Sequence, residues 1–268
     1  MTYQLTTSQK RWATLGIGTS AFMIAMEFYI VGVIIPILIQ HFNTKFATAQ
    51  WIILIYTLVL TVLVLGVARL GDIYDKKLLF LGGLVLFTIS SLLCGLAPNI
   101  AFLIVFRGLQ GLGAVFVWAL RNAIITEIFP EEERGRVLGW VTGCASLGLA
   151  LGPGLGGILI GFGGWRLVFW VNLPIGILAS VIVARYLPSC VGSEVRKGFD
   201  VIGFLLMSLA LCCFVLGMTR VQELGFGDPL EIMLIALAAI SLVYFLFLES
   251  HLEEPILDVR MLRLPSLS

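Results

Sequence analysis

The chain is written as long apolar runs separated by short polar punctuation. Taking charges, prolines and glycines as boundaries gives about eight runs, near residues 13–36, 48–68, 78–97, 101–126, 137–160, 167–187, 201–219 and 231–249. A helix needs about 20 mostly apolar residues to cross a bilayer, and these runs are close to that length. Lipid gives backbone polar groups no partner, so such runs satisfy their own hydrogen bonds as helices. The pattern predicts an all-α membrane protein. The first run follows Lys10 and Arg11 but is too long for a signal peptide and has no small-residue cleavage site, so it is expected to stay as an anchor.

The fifth run stands apart. No charged side chain occurs from Val137 to Trp165, and within it GLALGPGLGG, Gly148 to Gly157, repeats Gly148, Gly152 and Gly156 every four residues. That spacing lines one stripe of a helix, where missing side chains let another helix's backbone come close. Pro153 lacks an amide proton, crowds the carbonyl of Leu149 and is expected to bend the helix. The stripe suits either plain helix packing or a moving joint.

Composition confirms the class. The chain has 268 residues, 59% of them hydrophobic and 12% charged. Soluble domains have about 45 to 50% apolar and about 25% charged residues. The bilayer is therefore the first partner. A formal net charge of +1 and the lack of any basic arm give no reason to expect nucleic acid. Cys94, Cys144, Cys190, Cys212 and Cys213 show no CxxC spacing and read as small fillers in a reduced setting. His41 and His251 stand alone, so neither a metal nor a cofactor is expected.

Charge also sets orientation. Lys10, Arg11, Arg69, Lys76, Lys77, Arg134, Arg136, Arg185, Arg196, Lys197, Arg260 and Arg263 fall on one side, against Lys45, Arg166 and Arg220 on the other. The positive side is the cytoplasmic one. A multi-pass protein of the cell membrane is expected, with both termini in the cytoplasm. Trp12 and Trp140 fall at inner interfaces, Trp51 and Trp165 at outer ones.

Spans one to three and four to six form two triplets, and the first span of each carries an ionisable residue deep in its apolar run, Glu27 and Arg107. That is the placement of a 3+3 inverted repeat around a central cavity. Three units follow: a six-span bundle over 1–190, a cytoplasmic linker with two extra spans over 191–250, and a cytoplasmic tail over 251–268. The linker begins in the polar stretch PSCVGSEVRKGFD, Pro188 to Asp200.

Burying Glu27 costs several kcal/mol unless it is protonated or paired, which makes it a functional candidate. Span one runs outward and span four inward. At 1.5 Å per residue Glu27 and Arg107 then lie at similar depth in the outer half, where they can meet. Apolar surroundings favour a neutral carboxyl and a nearby cation favours a carboxylate, so a movable Arg107 would switch Glu27 between taking and releasing a proton. A permanent structural ion pair is the plainer alternative. Arg121 lies near the inner end of span four and is expected to snorkel to the headgroups. In ARLGDIYDKK, Ala68 to Lys77, Asp72 stands among basic residues, which turn chemistry alone explains.

These pieces occur together and in order, and there the chain resembles the major facilitator superfamily. FRGLQGLGA, Phe106 to Ala114, is similar to its fourth-span motif, with Arg107, Gln110, Gly111, Gly113 and Ala114 in place. Gly139, Gly148, Gly152, Pro153, Gly156 and Gly157 resemble its antiporter motif. ARLGDIYDKK resembles its loop between spans two and three, although Ala68 and Asp75 replace glycines and Ile73 a basic residue. MEFYIVGVIIP, Met26 to Pro36, resembles the first-span motif, with Glu27 for the more usual Asp. WRLVFWVNLPIG, FDVIG and EEPILDVRMLR resemble the fourteen-span drug/proton antiporter branch.

The resemblance implies a six-span amino-terminal bundle followed by two linker spans, with no enzymatic activity. It implies that Glu27 and Arg107 couple protons and that Arg69, Asp72, Lys76 and Lys77 form a cytoplasmic gating loop. It also implies that the fifth-span motif packs against an opposite half during alternating access. The expected function is proton-coupled multidrug efflux of small lipophilic, cationic substrates. Phe22, Phe28, Tyr29 and Trp118 are candidates to line an aromatic cavity. A member of this branch has a second six-span bundle, so the expectation is a truncated first half or a chain that pairs with a second one. The alternatives are a non-transporting membrane subunit and a facilitator of sugars or organic acids. No HExxH, GxSxG or phosphate-loop pattern supports an enzyme.

Overall fold

The computed structural model describes residues 6–189, 201–224 and 228–249. Their helices are α1 (Thr7–His41), α2 (Phe46–Ile73), α3 (Lys76–Gly95), α4 (Ile100–Ile128), α5 (Glu131–Gly163), α6 (Arg166–Trp170), α7 (Asn172–Tyr186), α8 (Val201–Leu224) and α9 (Pro229–Glu249). Among the described residues, eight stretches are long and apolar enough to cross a membrane, α6 and α7 together supplying the sixth. Most of the linker, the FD of FDVIG, Cys190, Arg196, Lys197, His251, EEPILDVRMLR with Arg260 and Arg263, and the tail lie outside the described residues.

Most of the helices are longer than the apolar runs suggested, while the third and sixth spans keep the expected length. α1 starts at Thr7 because Thr6 and Gln9 form a capping box that satisfies two of its orphan amides. It continues through Pro36 to His41, so Pro36 is inside the helix and does not end it. α5 starts at Glu131, with Glu131, Glu132 and Glu133 in its first turn, where acidic side chains meet the positive end of the helix dipole. Asp75 caps α3 by accepting from the Lys77 amide at 2.9 Å, and Asn99 caps α4 by accepting from the Phe102 amide at 3.0 Å. The sixth span breaks at Val171 between α6 and α7. Pro174 has no amide to give the carbonyl of Trp170, four residues earlier, which accounts for the interruption.

α1 lies along α5 and α2 along α4, while α3 packs on α4 and α7, and α1 also on α7. The leading helix of each triplet therefore lies on the middle helix of the other, as an inverted repeat requires. Where α1 and α5 meet at their starts, Lys10 Nζ reaches Glu133 Oε1 at 2.8 Å. α8 and α9 pack chiefly on each other, and α8 rests on α2 where Gly66 leaves room for the Phe204 ring.

The core comes in two apolar layers. One is built from Ala21, Phe80, Phe87, Ala114 and Val117 among others. The second contains Ile30, Ile34, Ile52, Leu103 and Phe169. Along each of α1, α3 and α4 the change from one layer to the next falls at a buried polar residue: Glu27, Ser91, and Arg107 with Gln110. Asn172 holds the same position at the head of α7.

The glycine stripe of α5 finds its neighbour inside the bundle. A Cβ on Gly148 would lie 3.0 Å from the Met26 amide nitrogen and still nearer the Phe22 carbonyl oxygen. One on Gly152 would lie 3.0 Å from the Met26 carbonyl oxygen, and one on Gly156 3.0 Å from an Ile30 side-chain carbon. The bare faces of Gly148, Gly152 and Gly156 are thus filled by α1. Gly139 and Gly157 of the same motif have open space beside them, and Pro153 is exposed.

Candidate functional site: a buried polar layer

The polar residues between the two apolar layers touch one another. Arg107 Nη1 donates to Glu27 Oε1 at 2.6 Å and to Gln110 Oε1 at 2.6 Å. Its Nε donates to the backbone carbonyl of Ile52 on α2 at 3.0 Å, and its guanidinium lies over the Tyr56 ring, 4.3 Å from the centroid. Gln110 Nε2 donates to Ser91 Oγ at 2.7 Å, and Ser91 Oγ donates to the Phe87 carbonyl at 2.9 Å. The second oxygen of Glu27 accepts from Asn172 Nδ2 at 2.6 Å. Glu27, Gln110 and Asn172 are 0% exposed and Arg107 1%. A buried carboxylate and guanidinium survive only when paired and otherwise hydrogen-bonded, and this layer meets that condition with side chains from α1, α3, α4 and α7.

The fourth-span motif turns its residues toward three neighbours. Arg107 reaches α1, Gln110 reaches α3, Gly111 lies against the Tyr56 backbone on α2, and Gly113 against the Phe87 backbone on α3. A Cβ on Gly111 would sit 2.9 Å from the Tyr56 carbonyl oxygen, and one on Gly113 2.5 Å from the Phe87 amide nitrogen. Close approach of three backbones is what holds Arg107 deep in the bundle.

The loop residues form a separate set at the ends of α2, α3 and α4. Arg69 Nη1 and Asp72 Oδ2 are 3.9 Å apart. Lys76 is buried and reaches Glu127 Oε2 on α4 at 3.1 Å. Lys77 gives its amide to the Asp75 cap. Asp75, which replaces a glycine of the family pattern, thus has a local use. Glu127, absent from the sequence-based candidates, is the partner that ties this loop to α4.

The aromatic candidates separate. The Phe28 ring meets the Tyr56 ring edge-on at 6.5 Å, Tyr29 stands beside Gly152 of α5 and is 49% exposed, and Phe22 is half-buried over Gly148. Trp118 is exposed, with the Arg121 guanidinium 4.1 Å from its ring centroid. The structure places Arg121 on that ring and leaves its Nε and Nη1 buried without a partner. Among the described residues, no ring contact joins Phe22, Tyr29 and Trp118.

Asn172, Tyr56 and Ser91 were missed as site residues. Each is a polar group in the middle of an apolar run, the same signal that singled out Glu27.

Comparison with known proteins agrees with this geometry. The family model described as Major Facilitator Superfamily matches residues 17–252. The chain is 35% identical over 247 residues to the multidrug resistance protein Stp of Mycobacterium tuberculosis (strain CDC 1551 / Oshkosh), covering 92% of this chain and 46% of that protein. It is 31% identical over 258 residues to the tetracenomycin C resistance and export protein of Streptomyces glaucescens, covering 96% and 48%. The chain spans about half the length of these relatives. Among solved structures it resembles a bacterial homolog to the human lysosomal transporter Spinster, in an inward-facing and occupied conformation. That match has TM-score 0.61 at 20% identity and covers 95% of this chain and 64% of that one. On the extent of the family match, together with the paired triplets and the buried motif residues, the chain belongs to the Major Facilitator Superfamily, a family of membrane transporters and not of enzymes.

Proposed function

We propose that this chain forms the amino-terminal part of a proton-coupled multidrug exporter of the cell membrane, with its basic loops and termini in the cytoplasm. One observation carries the reading: Glu27, at zero exposure, is held between Arg107 and Asn172 where three elements meet. A merely structural role is poorly served by a carboxylate in lipid, since well-packed apolar groups are at least as stable. Glu27 therefore carries the proton, and Arg107 is the cation that favours its release. The relatives named for multidrug resistance and for tetracenomycin C resistance and export support a small-molecule drug as the substrate, and lipophilic cations are the class proposed here. A second six-span unit supplies the other wall of the cavity. It rides on the open face of α5, where Gly139, Gly154, Gly157 and Gly161 have nothing within 4 Å. In that arrangement the loop with Arg69, Asp72, Lys76 and Lys77 gates the cytoplasmic side.

The test uses everted membrane vesicles carrying the product of the native gene, a lipophilic cation such as tetraphenylphosphonium, and a dye that reports internal pH. The native protein should dissipate an imposed proton gradient only when the cation is present, and Glu27→Gln, inserted in equal amount, should not. Cation-dependent proton movement at the native rate in Glu27→Gln would remove Glu27 from the mechanism.

A further inference from the structure

Asn172 binds one oxygen of Glu27 and has one atom unused. Its Nδ2 donates to Glu27 Oε2 at 2.6 Å, while its Oδ1 is buried and has no partner. An acceptor buried without a donor is costly, and Asn172 is 0% exposed. The orientation follows from the carboxylate, which can only accept, so the amide must turn its nitrogen toward it. A protonated carboxyl is different: it has an O–H to donate and wants an acceptor at the same place. A half-turn of the side-chain amide exchanges Nδ2 and Oδ1 with little change in shape. Because Oδ1 has no partner, turning it breaks no bond on its side.

We propose that Asn172 is a two-state positioning residue for Glu27. Its nitrogen holds the carboxylate and its oxygen receives the O–H of the acid, so the side chain stays in place while its charge changes. The inference rests on the reading of Glu27 as the proton carrier. In the ionised state Oε1 is held by Arg107 and Oε2 by Asn172. A proton arriving from water bonds to Oε2, the O–H points at Oδ1 of the turned amide, and Nδ2 faces where Oδ1 had been. The groups around this exchange are few. Arg107 on α4 is the charged neighbour of Glu27, Gln110 on the same helix shares Arg107, and Tyr56 on α2 and Cys94 on α3 are the other titratable groups of the layer. The broken sixth span makes the motif possible, because it sets Asn172 at the first position of α7, facing α1.

The test is acid-minus-base infrared difference spectroscopy on the native gene product in lipid, with the asparagine side-chain carbonyl isotopically labelled. The expected spectrum has two linked features. A protonated-carboxyl band appears on acidification and is lost in Glu27→Gln. An amide-carbonyl band moves to lower frequency over the same pH range, and is lost both in Asn172→Ser and in Glu27→Gln. The last variant retains Asn172, so the assignment does not depend on how well Asn172→Ser folds. A carboxyl band without any amide-carbonyl change overturns the two-state role and leaves the proton reading of Glu27 standing. Absence of the carboxyl band overturns both.

Discussion

Gly148 of α5 lies against the carbonyl oxygen of Phe22 on α1, too close for any β-carbon between them. This contact assigns the most conspicuous stripe in the sequence to the interior of the bundle. Gly148→Val forces α1 and α5 apart and should destabilise the protein by about 1 to 3 kcal/mol, the usual range for overpacking, or more because the obstacle is backbone. Gly157→Ala, where a β-carbon meets nothing within 4 Å of this chain and Ala is the better helix former, should cost far less. Thermal unfolding in detergent compares the two, and equal midpoints would contradict the packing described.

The Glu27–Arg107 pair should behave as a unit. Arg107→Ala leaves a buried carboxylate without its cation, at a cost of about 3 to 5 kcal/mol. Adding Glu27→Gln to that variant should recover part of the loss, because the uncompensated group is gone. A double-mutant cycle on unfolding measures the coupling, and additive effects would show that the two side chains act independently.

Lys76 and Glu127 join the start of α3 to the end of α4 with Lys76 largely buried. Either charge reversal alone, Lys76→Glu or Glu127→Lys, should lower transport and stability together. The double reversal should restore both, with a coupling energy of at least about 0.5 kcal/mol. Failure of the double variant to improve on either single one would remove the pair as a fastener of the loop.

Much of this was readable from the sequence, because lipid imposes simple rules. Apolar run length identified the spans, and charge punctuation fixed their number, although it cut α1 short at Pro36 and started α5 six residues late. Capping by Thr6 and acidic side chains at a helix start lie outside an apolar pattern, so the ends were misplaced. Glu27 and Arg107 were brought together by depth alone, since a helix rise converts residue number into height. What depth cannot supply is azimuth. The sequence shows that Gly148, Gly152 and Gly156 share a stripe but not that α1 covers it. It likewise places Trp118 and Arg121 on one helix without showing that the cation rests on the ring. Asn172 was overlooked because the sixth run reads as continuous. The break before it, set by Pro174, is what turns an ordinary amide toward Glu27.

The central claim is that Glu27 exchanges a proton as substrate binds, and proton release measures it most directly. The purified product of the native gene, in weakly buffered detergent solution with a pH indicator, is mixed with tetraphenylphosphonium. The account predicts acidification on binding by the native protein and none by Glu27→Gln at saturating cation. Equal proton release from both, with equal binding, would contradict it.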